Sequence, residues 1–443
     1  MKKLDQLPPQ KRLEPLPPDE RAYILERIKD GDAEYSNQWR EKVRRFASLY
    51  ARNLSRECKR RFGSEAQCHL EWMAEILLTP PTFLSDCPID AHCLGAVFYC
   101  LDALAESRGG QLRKEAEQQY VSLSHHLGTA GTPDAPHSKG SKFIFSEETW
   151  RAEAKTAKGI VIICPSPFSL YSLTVAKLLL HLEVPIAHVI VRSFSLKRFS
   201  DEWRRDGYRL IRKIWRKLLL KSNENPEQTS ISLKDICSSF YPEFNDINSL
   251  AESKKIPVST VDELDEAYDS IVSSNCAVAV FTGGGMVSSK LIQTLPLGII
   301  NVHMGILPDY KGMDVVQAPI LEGRFNHIGV TAHLMEPALD TGPILSHFPT
   351  TSLQYTSLGA LRNELMAVMP FVAVDAALGH ESGRLEAEKQ DAGGRQYYVT
   401  HKRLGSLVGQ VMKHDARNIG SSVETDAYNA LRPIAEFASQ TSG

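Results

Sequence analysis

The sequence predicts an α/β fold: a parallel sheet covered on both faces by helices, with a helical domain before it and a mostly helical segment after it. Three observations carry that prediction. Short apolar runs at 159–164 (GIVIIC), 186–191 (IAHVIV), 276–281 (CAVAVF) and 298–302 (GIINV) have the length and β-branched content of strands buried on both faces. Helical patterns separate them, as at 169–182 and 288–295, which is the alternation of parallel α/β sheets. Upstream of residue 159 strand runs are scarce, and helical spacing takes their place.

In chain order, five prolines between Pro8 and Pro18 make residues 1–18 an extended tail. Asp19 can cap a helix over Arg21–Lys29, and Gly31 stops it. Val43, Phe46, Tyr50 and Leu54 share one helical face, and further helices over His69–Leu78 and Cys93–Arg108 complete a helical domain at 19–128. Residues 129–158 open with small, polar and turn-forming residues and read as a linker. The α/β domain is placed at 159–350. After it, 357–378 is helical with an interruption at Pro370, and 351–410 forms a C-terminal extension. Weak signals make 411–443 a flexible tail.

Composition limits the function classes. At roughly 150 residues per domain, 443 residues allow two or three domains. Lys and Arg number 51 against 53 Asp and Glu, a net charge of −2, and 42% of residues are apolar, so a disordered, fibrous or uniformly basic chain is excluded. The apolar runs are far shorter than the roughly 20 residues needed to span a bilayer, and the first 18 residues lack the apolar core of a secretory signal. Eight cysteines without a Cys-x-x-Cys pair fit reduced thiols, and the expected location is the cytoplasm. Cys58, Cys68, Cys87, Cys93 and Cys100 lie near His69 and His92 but match no common zinc spacing, so buried thiols are expected and no metal. Two segments are strongly basic: 40–61 has nine Lys or Arg against two Glu, and 197–221 has ten against three acids. They read as amphipathic helices with charged faces in water; the alternative is a footprint for an anionic partner, with nucleic acid the less favoured form.

In parallel α/β sheets, ligands sit at the carboxyl ends of strands near a topological switch point. Two loops qualify, 281–286 (FTGGGM) and 302–312 (VHMGILPDYKG). Asn301 and His303 are two apart in a strand, so their side chains share a face. Asp340 follows His303 by 37 residues, in a loop between two strand-like pieces, and could return to the same pocket. Such a trio suits acyl transfer to a neutral amine: Asn offers an N–H to a developing oxyanion, His a second donor or a proton, and Asp orients the His and takes the amine's proton. Each residue also has a plain structural use, as a turn-capping Asn, a satisfied core His or a turn Asp. Gly283, Gly284 and Gly285 form a tight turn or allow a ligand close to the backbone.

The segments GIINVHMGILPDYKG and GVTAHLMEPALDTGPIL resemble the signature of the 10-formyltetrahydrofolate-dependent formyltransferases, a family with a Rossmann-like catalytic core. The resemblance covers roughly 159–350, including CPSPFSLYSL at 164–173, and continues weakly to 404. It implies that Asn301, His303 and Asp340 are catalytic, with Asp340 favouring protonated His303. It implies that Phe281, Thr282, Gly283, Gly284, Gly285, Met286 and Val287 flank 10-formyltetrahydrofolate, together with His333 and Leu339. Ser166, Phe168, Ser169, Tyr310, Lys311 and Gly312 are then placed on the acceptor side. His333 is equally suited to bonding a structural neighbour.

The departures narrow the acceptor. Gly305 stands where the family commonly has Ser, and Pro165-Ser166-Pro167-Phe168 replaces the glycine-rich phosphate loop of the purine enzyme. The region after 351 does not read as the β-barrel of the transfer-RNA enzymes. The expected acceptor is therefore the amine of a small biosynthetic molecule, with an anionic or carrier-bound acceptor as a variant and membranes excluded. Hydrolysis of the same folate, or a non-catalytic nucleotide- or RNA-binding scaffold, are the alternatives.

Overall fold

A computed structural model of the chain describes residues 13–51, 53–79, 90–129, 140–193, 232–283, 285, 287–350, 355, 357–391, 393–418, 434 and 436–437. The first 12 residues, Cys87, the basic segment 197–221, Gly284 and Met286 lie outside the described residues. The chain forms two compact units. The first comprises Met1–Pro133, Gly312–Phe325 and Gln396–Asn418; the second comprises Asp134–Lys311, Asn326–Arg395 and Ile419–Gly443. Neither unit is one continuous stretch, in contrast to the consecutive domains expected from the sequence.

The second unit is built on eight strands: β1 (Ser141–Lys142), β2 (Ile160–Cys164), β3 (Ile186–Arg192), β4 (Val258–Val261), β5 (Val278–Phe281), β6 (Ile299–His303), β8 (Ile328–Leu334) and β9 (Ile344–Thr350); a short strand β7 (Tyr310–Gly312) lies outside this sheet. Their order is β1-β9-β8-β6-β5-β2-β3-β4. Strands β2 to β6 pair in parallel, whereas β8 is antiparallel to both β6 and β9. The sheet is thus mostly parallel with an antiparallel hairpin at one side. The chain runs from β2 outward through β3 to β4 and returns to β5 on the other side of β2. That reversal is the switch point, and it opens between the loops after β2 and β5.

The central strands β2 and β5 are buried on both faces. Val161 and Ile163 of β2 point to one face, where they pack with Ile190, Ala279, Phe281, Leu291 and Ile299. Helix Leu170–His181 packs beside β2 and β3, and helix Leu358–Ser382 beside β5, β6, β8 and β9. Ser169 caps the first of these helices by accepting from the Ser172 N–H. The second runs through Pro370 without the expected interruption. An interior proline costs roughly 3 kcal/mol, and the long buried face of this helix, including Phe371, Val372 and Leu378, outweighs it. Residues 141–154, read from the sequence as part of a polar connection, form β1 and a helix Glu147–Ala154 capped by Ser146. Near the C-terminus, Phe437 is buried beside Phe145, His181, Phe240 and Phe371, so this part of the expected flexible tail is packed.

The first unit is helical, with helices Pro18–Lys29, Ala33–Leu49, Leu54–Phe62, Ala66–Leu78, Ala91–Ala103 and Gly110–Thr129. Two later helices, Gln317–Leu321 and Lys402–Asn418, belong to it and pack on each other. Pro17, not Asp19, occupies the first N-cap position, and Asp19 sits in the first turn. Tyr50 ends the second helix and Leu54 starts the next, so their expected common face is broken by a turn. Much of the basic charge at 40–61 is used internally. Buried Arg44 binds Glu41 and donates to the Gln396 carbonyl at 3.0 Å, and Glu57 receives both Arg60 and Arg61. Cys58, Cys93 and Cys100 are buried, and burial pushes the Cys58 thiol up to about 12. Among the described residues no helix is long and apolar enough to cross a membrane.

Candidate active site

Strand register brings the trio together. β6 carries Asn301 and His303 on one face, and its neighbours place Phe281 beside Asn301 on one side and His333 beside it on the other. Adjacent strands lie about 4.8 Å apart, so these residues form a row across the sheet. Asp340 sits in the loop joining β8 to β9, with its backbone in the left-handed region at φ 54°, a conformation Asp tolerates better than most residues. Gly342 closes that turn: a Cβ there would lie 1.8 Å from the Leu334 carbonyl oxygen.

The hydrogen bonds fix proton positions. His333 Nδ1–H donates to the Leu334 carbonyl at 2.8 Å, so its Nε2 accepts, and the acceptor faces Asn301 Nδ2 at 3.1 Å. This sets the Asn301 amide with nitrogen toward His333 and uses one of its two N–H groups. His303 Nε2–H donates to the Tyr310 carbonyl at 2.8 Å, which leaves Nδ1 facing Asp340 Oδ2 at 3.6 Å. The other carboxylate oxygen of Asp340 is 3.9 Å from His333 Nε2. Both separations exceed hydrogen-bond length yet are close enough for strong Coulomb interaction in a buried site. The side chains of His303, His333 and Asp340 are buried, and that of Asn301 is partly so. Burial pushes the His333 imidazole down to about 4, opposed by Asp340 and reinforced by His303, so the ring stays neutral at physiological pH.

The loop after β5 offers main chain rather than side chains. Phe281 and Val287 turn into the core. The Thr282 hydroxyl donates to the Ile163 carbonyl at 2.8 Å and meets the Ser172 hydroxyl at 2.7 Å, tying the loop after β5 to β2 and to helix Leu170–His181. Gly283 and Gly285 have φ of 123° and 105°, conformations that L side chains rarely adopt. Leu339, next to Asp340, is 60% exposed, and Phe168 in the loop after β2 is 77% exposed.

The acceptor-side residues divide. Ser166 supplies its carbonyl to the Ser169 N–H, and Ser169 caps a helix. Tyr310 is buried and contributes its carbonyl to His303. Lys311 donates to the Gly393 carbonyl at 3.0 Å, and burial lowers its pKa against the pull of Asp309 and Asp340. Gly312 falls in the first unit, where a Cβ would meet Gln396 and the Tyr397 carbonyl at 2.4 Å; close backbone pairing explains this glycine. Sequence reasoning missed Thr331 and Gln390. The Thr331 hydroxyl donates to the Gly305 carbonyl at 2.7 Å and accepts from the Leu307 N–H at 3.2 Å, holding the turn after His303. Its place two residues before His333 on β8 was the available signal. Gln390 lies far along the chain with none.

Residues 241–368 match the family model described as Formyl transferase. The chain is 30% identical over 155 residues to a methionyl-tRNA formyltransferase of Legionella pneumophila (strain Corby), covering 34% of this chain and 45% of the relative. It is 31% identical over 148 residues to that of Pseudomonas fluorescens (strain SBW25), covering 33% and 46%. The chain thus spans less than half the length of these curated relatives. A solved phosphoribosylglycinamide formyltransferase from Bacillus halodurans aligns over 51% of this chain and 94% of its own, at 15% identity and a TM-score of 0.34. The matched stretch contains Asn301, His303, His333 and Asp340, and residues 241–368 are what this chain shares with the formyl transferase family.

Proposed function

We propose that the second unit transfers a formyl group from 10-formyltetrahydrofolate to the amine of a small biosynthetic substrate. The observation that carries this reading is the juxtaposition of Asn301 and His303 on one strand face with the Asp340 carboxylate 3.6 Å from His303 Nδ1, inside the family segment. The surroundings fit a folate. Gly283, partly exposed and without a side chain, can offer its main chain to the polar edge of a pterin, and exposed Leu339 beside Asp340 can meet its flat face.

Bound there, 10-formyltetrahydrofolate supplies a formyl carbon activated by its bond to N10. Asn301 gives its second N–H to the negative charge that develops on the formyl oxygen, because His333 has already fixed the amide's orientation. His303, oriented by the Tyr310 carbonyl, presents Nδ1 as a second donor or as the carrier of a proton. Asp340 balances the charge on that ring and accepts the proton lost by the attacking amine, which then passes to the departing nitrogen. The new bond joins the amine nitrogen to the formyl carbon, and the bond from that carbon to N10 breaks. Ser166, Phe168, Ser169 and Lys311 border the acceptor side, where a lysine suits an anionic or carrier-bound amine.

Removing one oxyanion donor costs roughly 10²–10³ in rate. Asn301→Ala and His303→Ala are each expected to lose at least that much turnover of 10-formyltetrahydrofolate while keeping wild-type circular dichroism. Near-wild-type turnover by both variants would remove the assignment.

A further inference from the structure

The carboxylate of Asp340 is useful only while its loop holds it between two imidazoles, and one side chain outside that loop grips it. Gln390 Nε2 donates to the Asp340 carbonyl at 3.1 Å and to the Gly342 carbonyl at 2.7 Å. Carbonyl oxygens only accept, so the amide nitrogen must face them and both of its N–H groups are used. The cost is visible at the other end of the amide: Gln390 Oε1 is buried and has no hydrogen-bond partner among the described residues. A buried acceptor left unpaired calls for an explanation, and here the donors are what the position needs. The grip acts on a strained backbone, since Asp340 has φ 54°. Gln390 is itself anchored by a bridge two residues earlier, where Glu388 and Ile344 exchange both backbone hydrogen bonds at 2.8 Å.

We propose that Gln390 is a positioning residue, acting through the Asp340 main chain to aim its carboxylate at His303. The proposal deepens the formyl-transfer reading of this site and rests on it for its kinetic consequence. Glutamine suits the task because one amide nitrogen must bridge two carbonyls; a glutamate would set oxygen against oxygen, and methionine keeps the length without donors. No charge is added to the site, so Gln390 works by geometry alone.

The test compares wild type, Gln390→Met and Asp340→Asn as full chains. The ¹⁵N resonance of His303 Nδ1, identified by its loss in His303→Gln, reports at fixed pH on the charge facing that atom. Asp340→Asn removes the charge and sets the direction in which the resonance moves; Gln390→Met is expected to move it the same way, by less. With 10-formyltetrahydrofolate as the probe, Gln390→Met is expected to lower kcat about tenfold to a hundredfold, and to leave KM within about twofold because ground-state binding is untouched. A wild-type resonance and wild-type kcat in Gln390→Met would overturn the proposal, and so would a kcat loss with the His303 signal unmoved. If Gln390→Met does not fold, Gln390→Asn, which withdraws the amide by one methylene, is read the same way. Should wild-type protein turn over no 10-formyltetrahydrofolate, the transfer reading fails, while the His303 resonance still decides the role of Gln390.

Discussion

His333 shows how a buried neutral side chain can orient a neighbouring amide. Its ring donates to a carbonyl with one nitrogen and accepts from Asn301 with the other, so protonation would break the second bond and turn the amide. Its pKa falls from 6.5 in the unfolded chain to about 4 in the fold. The unfolded chain therefore takes up this proton first as the pH drops, and stability contributed by neutral His333 is lost on going down from pH 6.5 toward 4. The slope over that window is about 1.4 kcal/mol per pH unit at most. His333→Gln, which keeps an acceptor for Asn301 but cannot titrate, is expected to lose less stability than wild type between pH 7 and 4.5 in urea melts. Equal losses in the two proteins would show that His333 is not held neutral.

Among the elements, β8 does more than cover an edge. It delivers His333 to Asn301, and through Thr331 it fixes the turn that follows His303. Thr331→Val keeps the shape and removes the hydroxyl, leaving a buried carbonyl and a buried N–H unpaired at a cost of about 1–3 kcal/mol. A urea midpoint equal to wild type would contradict that role. The parallel strands β2, β3, β5 and β6 were legible because each is built on a short, mostly apolar run, and the shared face of Asn301 and His303 was legible from strand period alone. The partner strand of the hairpin was less so, because β8 and β9 carry His333, Ser346 and His347 among their apolar residues. β4, with an edge position and exposed Val258, shows no apolar run at all. Gln390 was invisible since its contacts are to backbone carbonyls some fifty positions away, at residues 340 and 342.

At the scale of the whole molecule, discontinuity was the feature no local pattern could reveal. The helical unit takes in Gly312–Phe325 and Gln396–Asn418, and buried Arg44 reaches the Gln396 carbonyl from the N-terminal helices. Periodicity along the chain records which face of a helix is buried, not which distant segment buries it, and so a contact between residues 44 and 396 leaves no sequence signature. The proposed catalytic residues, by contrast, all lie in the second unit, Asn301 and His303 on β6 and Asp340 in the loop between β8 and β9. Formyl transfer by this proposed site is tested by incubating the full chain with formyl-labelled 10-formyltetrahydrofolate and a pool of candidate amines. Mass spectrometry is expected to find one amine that gains a labelled formyl group with wild-type protein and none with Asn301→Ala. Release of labelled formate without any formylated amine, or equal labelling by the variant, would contradict the account.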